Sequence, residues 1–480
     1  MESSYRAAFV TLGCRVSQYE TEAVRESFLA AGFRVAEEGQ PADAVVLNTC
    51  TVTAESDRKS AKAIRRAIRE NPGAVILVIG CYAERSAAEI ARIPGVSYIS
   101  GTANKMACAD TALRLLRERE AKVPPTRPEI AVLPLAGTAY EPMSVSTAPR
   151  TRAYIKIADG CDCHCTYCAI SGARGAVRSR PRQEILEEIR RLAGNGTREV
   201  VLTGIETAAY GRDLGNYRLI DLLEEADTLP VDRIRLGSLS PEVLTGDFLT
   251  RASRLTHLAP HFHLSVQSAA DPVLAAMKRR YNAAWLYAAV DRARALIPDV
   301  AFTCDMLIGF PGERKEDFAA TLKFSEYAHF LHMHIFPFSP RAGTPAASYP
   351  GQIPPEEKRA RCRELKALGA RMHREILSET VAAGRELPVL FETADGQYAT
   401  GHTPSFTEVR VRTDLDLHGR ILPVLPTGIL GDRVTGRLAC AGEDLASAGA
   451  CPCPDREKTA VPAGSFSCKG PEQAAGPEIP

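Results

Sequence analysis

The chain has 480 residues, of which 45% are hydrophobic and 24% are charged, a balance typical of a soluble globular protein with two to four domains. It has no run of about 18 apolar residues and no basic start followed by a long apolar stretch, so we expect no transmembrane helix, no signal peptide and a cytoplasmic location. The net charge of +1 excludes a generally basic coat, so any RNA binding must come from local patches. In a reducing compartment, the 14 cysteines are more often ligands, redox groups or buried residues than disulfides.

Residues 1–122 form the first predicted domain, in which short apolar strands alternate with amphipathic helices. Strands are predicted at 7–12, 43–48 and 74–80, and helices at about 17–31 and 54–70. This alternation indicates right-handed crossovers and a Rossmann-like parallel sheet. Residues 123–150 contain six prolines and are interpreted as a linker.

A second strand–helix series occupies residues 151–380 and predicts a barrel or partial barrel of six βα units. Its strands are predicted at 153–158, 199–204, 233–238, 261–266, 300–309 and 332–338. Residues 381–440 have short strands between Gly, Asp and Thr turns, which suits a small β-barrel. The tail, 441–480, is rich in Pro, Gly, Ala and Ser and is predicted to be disordered.

Four cysteines stand within the segment "DGCDCHCTYCAI". Cys161, Cys165 and Cys168 follow a C-x3-C-x2-C spacing, and three thiolates on one loop can bind three irons of a cubane cluster and leave the fourth iron open. A structural zinc site favours a second C-x2-C pair, which the sequence lacks, and a redox pair would leave Cys161 unexplained. The spacing favours an iron–sulfur cluster, with structural zinc or core cysteines as the alternative.

Three further cysteines follow predicted strands of the first domain. Cys14 ends "TLGC", Cys50 ends "LNTC" and Cys81 ends "VIGC". Because the carboxyl ends of parallel strands share one edge of a sheet, we expect these cysteines to converge as a second three-cysteine site. The alternative is chance burial, since free cysteine is common in protein cores.

The segment "GCDCHCTYC" resembles the cluster loop of the radical S-adenosylmethionine (SAM) superfamily, including the aromatic Tyr167 before its last cysteine. With the second cysteine set, the chain resembles the radical-SAM methylthiotransferases over residues 5 to about 440. Matching segments, in matching order, include "TLGCRVSQYETE", "NTCTVT", "IGCYAE", "RGAVRSRP", "FHLSVQS", "DMLIGFPGE" and "HIFPFSPRAGTPAA". The resemblance implies an α/β fold with a Rossmann-like N-terminal domain, a partial (β/α)6 TIM barrel as the radical-SAM core and a C-terminal TRAM domain, a small RNA-binding β-barrel.

The resemblance also implies the cofactors: SAM and two [4Fe–4S] clusters. In that family, SAM chelates the open iron of one cluster, and an electron from this cluster cleaves SAM to a 5′-deoxyadenosyl radical. The second cluster is implicated in supplying or carrying the methylthio sulfur. The implied ligands are Cys161, Cys165 and Cys168 for the SAM-binding cluster and Cys14, Cys50 and Cys81 for the other. Cys163 is then surplus. The electrons must come from a donor such as flavodoxin or ferredoxin, and the sulfur donor is not identified by the sequence.

The family modifies either a tRNA adenosine beside the anticodon or an aspartate of a ribosomal protein. The isopentenyladenosine branch usually has Gln–Met–Asn after the first cysteine and the ribosomal-protein branch has Pro–Lys–Asn, whereas Arg15, Val16 and Ser17 follow here. "TLGCRVSQYETE" and "NTCTVT" look closest to the branch that acts on N6-threonylcarbamoyladenosine in tRNA. The alternatives are isopentenyladenosine tRNA, a ribosomal protein aspartate, or a non-catalytic RNA-binding iron–sulfur protein.

Polar residues near the ends of predicted barrel strands are candidates for holding SAM, because cofactor groups cluster at that edge. They are Glu206, Ser238, Ser265 and Gln267, with Asp305 in the fifth strand. The alternative is that these groups satisfy local backbone. Glu206 stands where relatives often have His, and Ala269 and Ala270 replace a common Gly–Ser pair.

Local arginines are candidates for binding tRNA phosphates. They are Arg178 and Arg180, which match the family's "RSR" segment, and Arg410 and Arg412 on a strand of the predicted TRAM domain. Cys451, Cys453 and Cys468 lie in the predicted disordered tail, where a third metal site is the less favoured alternative. We expect a monomer without a membrane partner.

Overall fold

The structure is a computed structural model that describes residues 5–37, 39–122, 127–147 and 151–439. The predicted disorder of residues 441–480 and the role of Cys451, Cys453 and Cys468 lie outside the described residues. No described helix is long and apolar enough to cross a membrane.

The N-terminal part is a six-stranded parallel sheet with helices on both faces. Its strands are β1 (Arg6–Thr11), β2 (Arg34–Val35), β3 (Ala44–Thr49), β4 (Val75–Gly80), β5 (Val96–Ser100) and β6 (Glu129–Ala131), in the spatial order β2-β1-β3-β4-β5-β6. Its helices are α1 (Arg15–Ala30), α2 (Ala54–Glu70), α3 (Cys81–Ile90) and α4 (Cys108–Glu120). Strands β3 and β4 are buried along their whole length because helices cover both faces, which explains their near-continuous Val, Ile and Leu sequences.

Strand β6 lies in the proline-rich stretch that we interpret as a linker. It pairs in parallel with β5 and leaves two of its three residues exposed. Further along the same stretch, Met143 and Val145 are buried in the main core. The stretch therefore contributes a sheet edge and core packing.

The central part is a partial barrel, as predicted. Its strands are β7 (Arg152–Asp159), β8 (Arg178–Ser179), β9 (Glu199–Gly204), β10 (Arg233–Leu236), β11 (Ser238–Leu239), β12 (His261–Gln267), β13 (Ala301–Ile308) and β14 (His332–Pro337). Its helices are α5 (Ile170–Arg174), α6 (Arg182–Gly194), α7 (Leu219–Ala226), α8 (Gly246–Ala252), α9 (Asp271–Ala276), α10 (Ala283–Leu296), α11 (Lys315–Ala328) and α12 (Pro355–Ala383). The strands form two sheets, β10-β9-β7-β8 and β11-β12-β13-β14, in which every pairing except β7 with β8 is parallel.

Side chains alternate along these strands between the helix layer and the barrel interior. The residues that join the main core under the helices include Ala153, Ile155, Phe262, Leu264, Phe302, Cys304 and Met306. Their neighbours on the opposite face, among them Tyr154, His263 and Asp305, therefore face the interior.

The C-terminal part is a closed five-stranded barrel, which confirms the predicted fold class of this region. Its strands are β15 (Leu387–Ala394), β16 (Tyr398–His402), β17 (Glu408–Arg412), β18 (Ile421–Leu430) and β19 (Arg433–Leu438), in the order β15-β16-β17-β19-β18. Phe406 connects it to the partial barrel, since its ring stacks at 4.8 Å on both His261 and His402.

Candidate active site

Three thiols stand at the carboxyl edge of the N-terminal sheet. Cys14 follows β1, while Cys50 and Cys81 come directly after β3 and β4, and these three strands are neighbours in the sheet. A methyl group on Gly13 would lie 3.4 Å from the Cys50 sulfur, so the chain before Cys14 passes close to Cys50. Burial raises the pKa of the Cys50 thiol and raises that of Cys81 to about 11, and a Cys14 thiolate would add to both effects. The three cysteines thus share one edge of the sheet, and their joint binding of a cluster stays a prediction.

Gly80 fixes the direction in which the chain enters Cys81. Its backbone has φ 97° and ψ −165°, a conformation that is essentially confined to glycine. A Cβ atom at this position would lie 2.6 Å from the carbonyl oxygen of Thr49. The sharp turn brings Cys81 to the start of α3, at the sheet edge.

The cluster loop, residues 160–169, follows β7 at the carboxyl end of the barrel strands. A side chain on Gly160, which has φ 77°, would overlap the carbonyl oxygen of Ala176. The backbone N–H of Thr166 donates to the Met277 carbonyl at 3.2 Å, which ties the loop to the segment after β12. Catalytic groups of (β/α) barrels normally lie at this end.

Arg174 links the N-terminal thiols to the barrel. It ends α5, directly after the cluster loop, and its side chain is fully buried. Its Nε donates to the Cys81 sulfur at 3.0 Å, and its two Nη atoms donate to the Glu20 carboxylate at 2.5 and 3.1 Å. Nη1 also contacts the two Asp159 oxygens at 3.1 and 3.2 Å. Since Cys81 and Glu20 belong to the N-terminal part while Asp159 belongs to the barrel, one guanidinium spans the interface.

The ionic cluster around this guanidinium holds more positive than negative charge. Its members are Arg174, Lys105, Lys156, Glu20 and Asp159. Burial would raise the pKa of Glu20, but the three cations outweigh burial and hold that pKa well below its usual range. Arg178 also lies 3.8 Å from Asp159, so the cations outnumber the carboxylates. Arg174 opposes the rise that burial imposes on the pKa of Cys81.

A second arginine contacts the cluster loop in a similar way. Nη1 of Arg279 donates to the Cys165 sulfur at 3.2 Å, and Nη2 donates to the Ser265 carbonyl at 3.0 Å. Its Nε donates to the Tyr281 hydroxyl at 2.9 Å, which fixes the plane of the guanidinium. Each three-cysteine set therefore has one sulfur that accepts a hydrogen bond from an arginine.

Cys163 and Glu206 lie together beside the loop. The Cys163 thiol donates to the Glu206 carboxylate at 3.7 Å, and the Cys163 backbone N–H contacts the Cys161 sulfur at 3.5 Å. Burial raises the pKa of Glu206, and its Oε1 atom is buried without a hydrogen-bond partner among the described residues. That Cys163 is surplus stays a prediction, but its thiol has a partner other than a metal.

The remaining SAM candidates lie on neighbouring strands of the same barrel. Ser238 begins β11 and is exposed, and Ser265 is half-buried on β12. Gln267 ends β12 with φ 65°, and the pairing with β13 shifts register just before it. Such strained non-glycine backbone costs about 1–3 kcal/mol and clusters at functional sites. Asp305 lies in the middle of β13 rather than at its end.

The prediction that Arg178 and Arg180 bind RNA is wrong for this structure. Arg180 is 2% exposed and pairs with Glu188, while Arg178 is 9% exposed and donates to the Arg174 carbonyl at 2.8 Å. Both guanidinium groups point into the protein interior, where they contact protein acceptors instead of the tRNA phosphates that we expected.

The other two candidate arginines lie on β17 of the C-terminal barrel. Arg412 is exposed. Arg410 lies over the Tyr398 ring at 3.9 Å and pairs with Asp395 at 2.5 Å. Their assignment to RNA stays a prediction.

Comparisons with known proteins agree with this arrangement. Residues 6–101 match the model described as "Uncharacterized protein family UPF0004", and residues 155–325 match that of the "Radical SAM superfamily". The "Threonylcarbamoyladenosine tRNA methylthiotransferase MtaB" of Bacillus subtilis is 36% identical over 430 residues, which are 87% of this chain and 92% of that protein. The protein of the same name from Thermotoga maritima is 38% identical over 74% of this chain and 80% of its own length.

The chain belongs to the radical-SAM tRNA methylthiotransferase family.

Relatives of this methylthiotransferase carry more than one substrate name. The "tRNA-2-methylthio-N(6)-dimethylallyladenosine synthase" of Thermobifida fusca is 34% identical over 81% of this chain and 78% of its own length. Among solved structures, the radical SAM methyltransferase TsrM of Kitasatospora setae shares the fold, with a TM-score of 0.54, 16% identity and 82% of each chain covered.

The methylthiotransferase uses two [4Fe–4S] clusters and SAM. The donor sets fit this requirement: the N-terminal edge holds three free thiols, the loop holds four including Cys163, and an arginine donates to one sulfur at each place. The unpartnered Oε1 of Glu206 beside the cluster loop fits a polar cofactor group.

Sequence reasoning missed the charged residues around the two cysteine sets. They are Glu20, Lys105, Lys156, Asp159 and Arg279. One signal was available: Lys156 interrupts an otherwise apolar buried strand, and a lysine in that position requires a buried anion.

We predict that Glu20→Gln destabilises the chain by about 3–5 kcal/mol, because it removes one carboxylate from a buried group of three cations. The matched control is Glu22→Gln on the same helix, whose ion pair with Arg25 is partly exposed and should contribute about 0–1 kcal/mol. Urea unfolding of the cluster-free protein measures both. Equal losses in the free energy of unfolding for the two variants would contradict the stabilising role of the buried ionic cluster.

Proposed function

We propose that this methylthiotransferase converts N6-threonylcarbamoyladenosine beside the anticodon of tRNA to its 2-methylthio derivative, by sulfur insertion and methylation at adenine C2. The observation that carries the proposal is that the buried Arg174, which ends the helix after the three-cysteine loop of the barrel, donates to a sulfur of the N-terminal three-cysteine set. The relatives named for threonylcarbamoyladenosine, at 36% and 38% identity, support this branch of the family.

The chemistry accounts for the need for two cysteine sites. The C2–H bond of adenine is strong and unactivated, and no side-chain base removes that hydrogen at neutral pH. We assign one cluster to Cys161, Cys165 and Cys168, where SAM binds, and the other to Cys14, Cys50 and Cys81. A cluster held by Cys161, Cys165 and Cys168 would supply the electron that cleaves SAM, and a cluster held by Cys14, Cys50 and Cys81 would carry the sulfur that becomes the methylthio group.

The side chains around the thiols set the electrostatics of both sites. Arg279 at Cys165 and Arg174 at Cys81 stabilise negative charge on sulfur, and hydrogen bonds to ligand sulfurs are among the factors that set cluster potentials. The unpartnered Oε1 of Glu206 can accept a hydrogen bond from an ammonium or hydroxyl group of SAM. A buried acceptor without a partner costs about 1–3 kcal/mol, so this contact would stabilise bound SAM.

The C-terminal barrel is the part that we assign to RNA. Arg412 on its outer surface and the neighbouring Arg410 can contact tRNA phosphates, which position an RNA without reading its sequence. The electrons come from a separate donor such as flavodoxin or ferredoxin, and a separate donor restores the sulfur.

Nucleoside mass spectrometry of tRNA from cells that lack this chain tests the substrate. We expect 2-methylthio-N6-threonylcarbamoyladenosine to disappear and its unmethylthiolated precursor to accumulate, and we expect the wild-type chain, but not Cys165→Ala, to reverse both changes. The relative named for dimethylallyladenosine makes that base the second candidate. Loss of a methylthio-dimethylallyladenosine instead, with the threonylcarbamoyl product unchanged, would refute the proposed substrate.

Anaerobic reconstitution tests the cysteine assignments. Two four-iron clusters predict about eight irons per chain, and Cys165→Ala or Cys81→Ala should each lower this number to about four. SAM cleavage under strong reductant should be lost in Cys165→Ala and kept in Cys81→Ala, because only one cluster binds SAM.

Cys163→Ser is the matched control, since it lies in the same loop. It should keep about eight irons and SAM cleavage. A loss of about four irons in this variant would overturn the ligand choice.

A further inference from the structure

Arg15, beside the N-terminal thiols, is a cation without a hydrogen-bond or ion-pair partner among the described residues. It directly follows Cys14, and its guanidinium lies 5.8 Å from the centre of the Tyr154 ring, which faces the barrel interior. Within the described residues, its side chain makes no hydrogen bond or ion pair, although burial is sufficient to lower its pKa. A partly buried guanidinium in this state lacks the acceptors that its five N–H groups require.

The other arginines that act on Arg15 already form ion pairs with carboxylates. Arg152 pairs with Glu392 at 2.5 Å, and Arg235 pairs with Glu199 at 2.8 Å. Both arginines act on Arg15 by repulsion. The surroundings therefore add positive charge and supply no acceptor.

Asp305 is a carboxylate that favours the Arg15 cation without forming an ion pair with it. Two histidines contact its oxygens. His263 Nε2 lies 3.2 Å from one oxygen and His334 Nδ1 lies 3.3 Å from the other. The Thr303 hydroxyl contacts the remaining ring nitrogen of His263 at 2.8 Å and fixes the ring. The site therefore has a cation ready for an external anion.

The proposed substrate carries such an anion close to its reacting carbon. The threonylcarbamoyl group is attached at N6 and ends in a carboxylate, and N6 and C2 lie on either side of the same ring nitrogen, N1. When C2 is presented to the thiol site that contains Cys14, the group on N6 is held near the residue that follows Cys14. A dimethylallyl group at N6 is apolar and offers no acceptor.

We propose that Arg15 binds the carboxylate of the N6-threonylcarbamoyl group and thereby selects this adenosine. A guanidinium binds a carboxylate through two parallel N–H contacts, which give geometric selectivity as well as affinity. An adenosine without the carboxylate leaves the cation unpaired, and sites of this kind discriminate strongly against substrates that lack the matching group. The inference rests on the proposed function.

The test compares RNAs that differ only in the group on N6 of the adenosine. The probes are anticodon stem–loop RNAs with N6-threonylcarbamoyladenosine, with its methyl ester, or with N6-dimethylallyladenosine. Fluorescence anisotropy with the full-length reconstituted enzyme gives each Kd, and product analysis gives kcat/KM. We expect the wild type to bind the acid at least about tenfold more tightly than the ester, as a charge-assisted hydrogen bond implies.

Variants then assign the preference to Arg15. Arg15→Gln should reduce the acid-to-ester ratio of Kd values to about one while iron content and SAM cleavage stay at the wild-type level, and Arg15→Lys should keep part of the ratio. Arg34→Gln, which removes an exposed arginine on β2, is the control and should keep the full ratio.

The outcomes separate this inference from the proposed function. A wild-type enzyme that methylthiolates the threonylcarbamoyl RNA but shows no acid preference, or an Arg15→Gln variant that keeps it, overturns the role of Arg15 alone. A wild-type enzyme that methylthiolates only the dimethylallyl RNA overturns both. If Arg15→Gln loses iron, the iron-loaded Arg15→Lys variant decides. An acid-to-ester ratio below that of the wild type, with the full ratio kept in Arg34→Gln, supports the role of Arg15, whereas the full wild-type ratio in Arg15→Lys contradicts it.

Discussion

The buried guanidinium of Arg174 is the interaction on which the arrangement of the two sites depends. A fully buried cation is stable when anions and hydrogen-bond acceptors surround it, and here they come from two parts of the chain. Glu20 and the Cys81 sulfur belong to the N-terminal part, and Asp159 belongs to the barrel. Separation of the two parts would leave buried charges without partners, so the ionic cluster fixes how they dock.

This docking places the functional groups around one interior. The N-terminal thiols approach from the edge of their sheet, the cluster loop stands at the carboxyl end of the barrel strands, and Arg15 at the start of α1 reaches the side of Tyr154. At the other end, Phe406 of the C-terminal barrel stacks on His261.

The strands and the cysteines could be predicted because their signals are local. The apolar sequences at 43–48 and 74–80 became β3 and β4, and the cysteines that end them stand at one sheet edge because the strands are parallel. Strand β6 was missed since it is short, mostly exposed and surrounded by prolines. The charged residues could not be placed, because a sequence shows that Arg180 is cationic but not that it is 2% exposed. The pairing of Arg174 with Glu20 joins residues 154 positions apart and arises only when the two parts dock.

Iron binding at the N-terminal thiols alone tests most directly whether Arg174 supports that site from the barrel. In a chain with Cys161, Cys165 and Cys168 replaced by alanine, about four irons should remain. Adding Arg174→Gln should reduce this number to less than half, whereas Arg180→Gln, which breaks a buried ion pair that touches no cysteine, should keep it. Retention of about four irons in the Arg174→Gln chain would contradict the account.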